Sequence, residues 1–187
     1  MSLDRRAVAG AVALSLSLAL AACASATPSA TPAPTVAANR TPGPEAAPEL
    51  AAMLPATAGG LDFVKTSVTG PDVGSLGVSI DSAALERLAK AQGKTLADVQ
   101  VAEARPADPS KGGIVLAIRV PGADPKNVVE ATFSTSKALQ LATLGGKSVY
   151  RVGGNGLNIV VYPKGDIMFQ VVGAPSDLTE AIVAALP

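Results

Sequence analysis

The sequence predicts an α+β domain over residues 49–187: an antiparallel sheet of about five to seven strands with two or three helices packed on one face. Three observations lead there. Short apolar runs with period-two alternation are joined by glycine-rich turns, a mark of hairpins rather than of parallel crossover units. Three such runs follow one another between residues 147 and 172 before a closing helix, and grouped strands favour segregated layers over a wound parallel sheet. Each helical stretch also opens on a residue type that satisfies the free N–H groups of a helix start.

Residues 61–68 (LDFVKTSV) alternate as a strand between Gly59-Gly60 and Gly70-Pro71. Asp81 caps a helix to about Gln92, with Ile80 and Leu85 placed as a hydrophobic staple and Gly93 as the residue that ends it. Leu85, Leu88 and Ala89 form its buried stripe, and Glu86 and Lys90 pair on the wet side. Residues 99–105 and 114–120 form a hairpin, with Ile114, Leu116, Ile118 and Val120 on one face and Arg119 opposite. Asp124-Pro125 opens a second helix that fades at Ser134-Thr135-Ser136. Strands at 147–152, 157–162 and 167–172 are joined by the turn at 153–156 and by a three-residue loop at 163–165 with Gly165 left-handed. Ser176 caps a last helix with Leu178, Ile182 and Leu186 on one face. Gly59-Gly60 and Gly145-Gly146 each precede a strand, an echo that fits a duplicated unit, although glycine pairs before strands also recur by chance.

Ahead of this domain the composition changes twice. Arg5 and Arg6 precede an apolar run at 7–20, and small residues then lead to Cys23, the only cysteine in the 187 residues. A membrane span needs ~20 apolar residues, and this run is shorter, with Gly10, Ser15 and Ser17 inside it. Residues 24–48 are rich in Ala, Thr, Pro and Ser with no periodic apolar face, so they read as a disordered, extended spacer. At ~3.1 Å per residue in polyproline II form it reaches up to roughly 75 Å.

Leu20-Ala21-Ala22-Cys23 resembles the lipobox of bacterial lipoproteins. The resemblance implies a signal peptide at 1–22, cleavage before Cys23, and a diacylglyceryl group on the Cys23 sulfur, with N-acylation (palmitate-type) common in that class. It places the mature chain on the extracytoplasmic face of the cell membrane, held by lipid rather than by a span. One acyl chain binds marginally, whereas two or more hold stably.

Absences bound the chemistry of the domain. The chain has no histidine, and Cys23 is expected to be lipidated, so Ser-His-acid and Cys-His nucleophile systems are excluded along with the common zinc ligand sets. No calcium-loop spacing occurs, and no metal or cofactor is expected. Gly93-Lys94-Thr95 and Gly146-Lys147-Ser148 mimic the end of a phosphate loop, but Leu88 and Leu141 stand where its first glycine belongs. Lys and Arg total 15 against 15 Asp and Glu without clustering, which argues against nucleic-acid binding. Of the scattered carboxylates, Glu103 in mid-strand is the first to test for acid–base work, with a solvated strand face as its plainer explanation. Lys147 and Arg151 are candidates for an anionic-polymer patch, and Tyr150 and Tyr162 for a ligand-stacking site, against wet sheet and core packing as the alternatives. The expected function is non-catalytic binding of a small ligand or envelope protein. A structural or assembly role through an exposed sheet edge is the alternative.

Overall fold

The computed structural model describes residues 46–133, 139–153 and 158–187. Cys23, the segment before it and the spacer up to residue 45 lie outside the described residues, as do the expected helix end at 134–136 and most of the turn at 153–156.

Eight strands form one antiparallel sheet in the order β1-β2-β3-β4-β8-β7-β6-β5. The strands are β1 (Thr57–Ala58), β2 (Leu61–Thr69), β3 (Gln100–Pro106), β4 (Ile114–Arg119), β5 (Leu139–Leu144), β6 (Lys147–Val152), β7 (Ile159–Lys164) and β8 (Ile167–Val172). The α+β class with an antiparallel sheet is therefore as read from sequence, but with eight strands instead of five to seven. Two meanders, β1–β4 and β5–β8, join through the β4–β8 pair, in which Leu116 lies opposite Gln170 and Ala117 opposite Phe169. The α-helices are α1 (Pro48–Ala52), α2 (Ser82–Ala91), α3 (Pro125–Phe133) and α4 (Ser176–Ala185).

These helices cover both faces of the sheet, which corrects the expected one-sided packing. Val115 and Ala117 of β4 join α1 and α4 in one apolar cluster, while Ile118 joins α2 and α3 in the other. The physical reason lies in the central strands, where consecutive residues are buried: Val101 and Ala102, Val115 to Ile118, and Met168 and Phe169. Such runs read as two-sided burial. A strand that is apolar on alternate positions only would leave one face to water.

The sheet curls around α4, and the two glycine-pair turns mark where its two edges meet that helix. Gly59 and Gly60 have φ of 56° and 76°, and Gly145 and Gly146 have 55° and 76°. A side chain at Gly59 would meet Leu178, and one at Gly145 would meet Ala184, both on α4. The echo read from sequence is thus a pair of matching hairpin turns, one at each edge of the sheet, pressed on a common helix.

Helix ends follow the sequence closely at α2. The Asp81 side chain accepts a hydrogen bond from Ala84 N at 3.0 Å. At its other end Gly93 N donates to the Lys90 carbonyl at 3.0 Å and Lys94 N to the Ala89 carbonyl at 2.9 Å, a complete Schellman pair with Gly93 at φ 65°. Lys126 N donates to Asp124 Oδ1 at 2.8 Å at the start of α3. Ser176 is not a cap: α4 begins on it, Pro175 precedes it, and no side chain caps that end. The β7–β8 loop is shorter than expected, with Lys164 opposite Ile167 and only Gly165-Asp166 between. Residues 46–48, expected at the end of the spacer, are packed on β2. Ala47 is fully buried with its N–H donating to Ser67 Oγ at 3.0 Å, and Pro48 starts α1.

Asp98 and Asp108 titrate below the ordinary carboxylate range because Thr95 and Ser110, respectively, donate backbone and hydroxyl hydrogen bonds to their ionised oxygens. A carboxyl depressed in the folded state contributes stability above its unfolded pKa and loses it as pH falls through the folded one. Melting temperature is therefore expected to hold from pH 7 to about 5 and to fall below about 4. Thermal melts of Asp98→Asn should show a shallower acid limb than the parent; an identical limb would remove Asp98 from the account.

Candidate functional site

Lys147 and Tyr162 are close together, and both are engaged with α4. Lys147 Nζ donates to the Val183 and Ala184 carbonyls, each at 2.9 Å. These are among the last carbonyls of α4, at the negative end of the helix dipole, and the Val183 carbonyl also accepts from Leu186 N at 3.3 Å. The same ammonium lies 5.8 Å from the Tyr162 ring centroid. Tyr162 stacks on the buried Phe169 ring at 6.0 Å, and its hydroxyl donates to the Pro187 main-chain oxygen at 3.3 Å. The arrangement clamps the end of α4 to β6 and β7.

The other two candidates, Tyr150 and Arg151, do not join this pair. Tyr150 lies opposite Leu141 and Val161 and packs at the margin of the α2/α3 cluster, on the far face of the sheet from Tyr162. Arg151 is exposed, on the same face of β6 as Lys147 and opposite Gln140. The tyrosines form no common stacking site, and Lys147, the cation beside Tyr162, is committed to helix carbonyls.

Glu103 is buried, 4 % exposed, which overturns the solvated strand face expected for it. It shares a face of β3 with Val101 and Arg105, between Thr66 of β2 and Leu116 of β4. One carboxylate oxygen pairs with Arg105 Nε, and Arg105 Nη2 donates to the Leu76 carbonyl at 2.7 Å. The second oxygen, Oε2, has no hydrogen-bond partner. Glycoside hydrolysis takes two carboxyls facing one bond, and the residues flanking Glu103 across the sheet supply none. Among the described residues no group of three Asp, Glu, His or Cys gathers to hold a metal ion.

Two surface features remain. An open cleft of about 410 Å³ is lined by Gly59, Leu61, Lys111, Pro175, Asp177 and Leu178. Its charged members, Lys111 and Asp177, are both exposed to water. The second feature is the free edge of β5. The two edges of the sheet are treated differently. On the β2 side, Phe63 N donates to the Ala56 carbonyl and Ala46 N to the Ser67 carbonyl, so the preceding chain covers the edge beyond the short β1. Among the described residues, strand β5 pairs with β6 alone. Its sequence LQLATL holds no charge and no proline, and Leu141 at its middle is 73 % exposed.

The β5 edge is absent from the strands expected on sequence grounds, although Gly145-Gly146 is a two-residue hairpin signal for a strand on both sides. In comparisons with protein-family models, curated proteins and solved structures, this chain matches none. Among the described residues no helix is long and apolar enough to cross a membrane.

Proposed function

We propose that this chain is a lipid-anchored protein of the extracytoplasmic face of a bacterial cell membrane, whose domain docks a protein of the envelope without catalysing a reaction. The observation that carries the docking role is the bare β5 edge. Unpaired, uncharged edge strands are normally blunted by charge, proline or a covering segment, and among the described residues one edge is covered and the other is not. An edge offers main-chain hydrogen bonds to a partner strand, and alternate side chains supply selectivity. Small-ligand binding has less support, because the cleft beside α4 is open and its polar groups face water. The non-catalytic reading is supported by the absence of histidine and by a Glu103 carboxylate with no carboxyl opposite it on β2 or β4.

The anchor is carried by Cys23. A diacylglyceryl thioether would hold the chain at the membrane, and the spacer would set the domain clear of it. Cys23→Ala is expected to move the full chain out of the membrane fraction and leave the N-terminal peptide uncut by the lipoprotein peptidase, read by fractionation and intact mass. Unchanged membrane retention would overturn the anchor. The docking role is tested separately, through Leu141.

A further inference from the structure

We infer that the partner of the β5 edge is a second copy of this chain, paired antiparallel about a two-fold axis through Leu141. The inference rests on the reading of β5 as a docking edge and adds its occupant and register.

The register follows from the hairpin. Leu144 and Lys147 flank the two-residue turn and form its closing pair, which in such a hairpin exchanges both hydrogen bonds. Alternation then turns Ala142 and Gln140 toward β6 as well. The N–H and C=O groups of Leu139, Leu141 and Thr143 therefore point out from the open edge. The same alternation points the main chain of β6 residues 148, 150 and 152 toward β7. Ladder pairing there ends at Tyr150–Val161, two residues short of Pro163, which has no N–H to give.

An antiparallel partner must match outward groups to outward groups. For two identical β5 strands this is met with Leu141 opposite Leu141 and Leu139 opposite Thr143 on either side, giving about six main-chain hydrogen bonds. On one face this aligns Tyr150, Leu141 and their copies in a single row, because Tyr150 lies opposite Leu141 within each chain. The most exposed large apolar residue among the described residues thus lands on the symmetry axis against itself. On the other face Gln140 meets Ala142. No residue of β5 is charged, so self-pairing sets no like charges opposite one another along the strand. Arg151 stays apart from its copy, because it neighbours Gln140, which meets Ala142 of the other chain.

A six-residue edge falls below the ~1,600 Å² of a standard stable interface. The pair is therefore weak in free solution and gains from confinement of both copies to one membrane, which raises their effective concentration. The closed two-fold also consumes the bare edge of each chain, so pairing ends at two.

The test uses the full chain carrying Cys23→Ala, which removes the lipid; the uncut apolar run at 7–20 is common to every variant, so differences among them report on β5. The parent is expected to show a concentration-dependent dimer. Leu141→Lys and Leu141→Glu, which place like charges on the axis, should each weaken it by about tenfold or more. Mixing the two variants should restore dimer, because Lys then faces Glu. Gln140→Lys adds the same charge off the axis and should leave the dimer largely in place; unchanged circular dichroism shows that each variant is folded. A parent that stays monomeric at about millimolar concentration, the range that tethering supplies, overturns self-pairing. So does a mixture that fails to re-form the dimer. If in that event Leu141→Lys still releases a different envelope protein from the lipidated chain in membranes, only the occupant is wrong. If it releases nothing, the docking role falls too.

Discussion

Gly145→Ala is expected to destabilise the domain by about 3–4 kcal/mol, while Gly146→Ala, one residue on, should cost only about 1–2 kcal/mol. Both glycines have positive φ, 55° and 76°, so both substitutions incur the strain of a left-handed backbone. They differ in what the new methyl meets. At Gly146 nothing lies within 4 Å, whereas at Gly145 the Cβ would stand 2.7 Å from Ala184 N and 3.0 Å from Ala184 Cα. Those are backbone atoms of α4, and α4 cannot easily retreat. Leu178, Ile182 and Val183 are packed in the cluster it shares with the sheet, and the Lys147 clamp holds its last carbonyls. Gly59→Ala should fall between the two, because its Cβ would meet Leu178 Cδ1 at 2.9 Å, the movable end of a side chain. Urea titrations of the three variants give the order directly. Equal losses at 145 and 146 would mean that the β5–β6 turn does not rest on α4 and that the sheet is less curled than described.

The parts of this fold that are legible in the sequence are those whose determinants are local. The Asp81 cap and Gly93 terminator of α2 act within four residues, and strands 147–152 and 167–172 are bounded by residues that turn the chain. Legibility fails where a residue answers to something distant. Pro48 stands in a proline-rich tract and reads as spacer, yet it begins α1, because a proline N–H is not needed at a helix start. Val115 and Ala117 escape a one-faced reading because Ile114, Leu116 and Ile118 already make a sufficient pattern; only the helices on the other side give the intervening residues a purpose. At the site, Lys147 and Tyr162 stand out as candidates, but their partners are main-chain oxygens at 183, 184 and 187, which carry no sequence signature. The pairing of Glu103 with Arg105 is within reach, since residues two apart share a strand face. What is not readable is that this face is buried at Glu103.

That burial makes the Glu103–Arg105 pair strongly asymmetric to mutation. Arg105→Ala is expected to cost about 2–3 kcal/mol, because it leaves a carboxylate that is 5 % exposed without its cation and with neither oxygen paired. The figure is set below the ~3–5 kcal/mol typical of breaking a fully buried pair because the Arg105 side chain is 45 % exposed, so water screens it. It also includes loss of the hydrogen bond to the Leu76 carbonyl, which ties the short 3-10 segment Gly70–Leu76 to the sheet. Glu103→Leu should be close to neutral or mildly stabilising. Its neighbours on that face are Val101 and the buried Leu116, the desolvation of the carboxylate disappears, and the partly exposed guanidinium keeps its bond to Leu76. The double variant should then recover part of what Arg105→Ala loses, since no buried charge is left behind. Chemical denaturation of the two single variants and the double variant closes the cycle. A Glu103→Leu variant as damaged as Arg105→Ala would show that the carboxylate is anchored by more than this arginine, with a donor reaching Oε2 in solution.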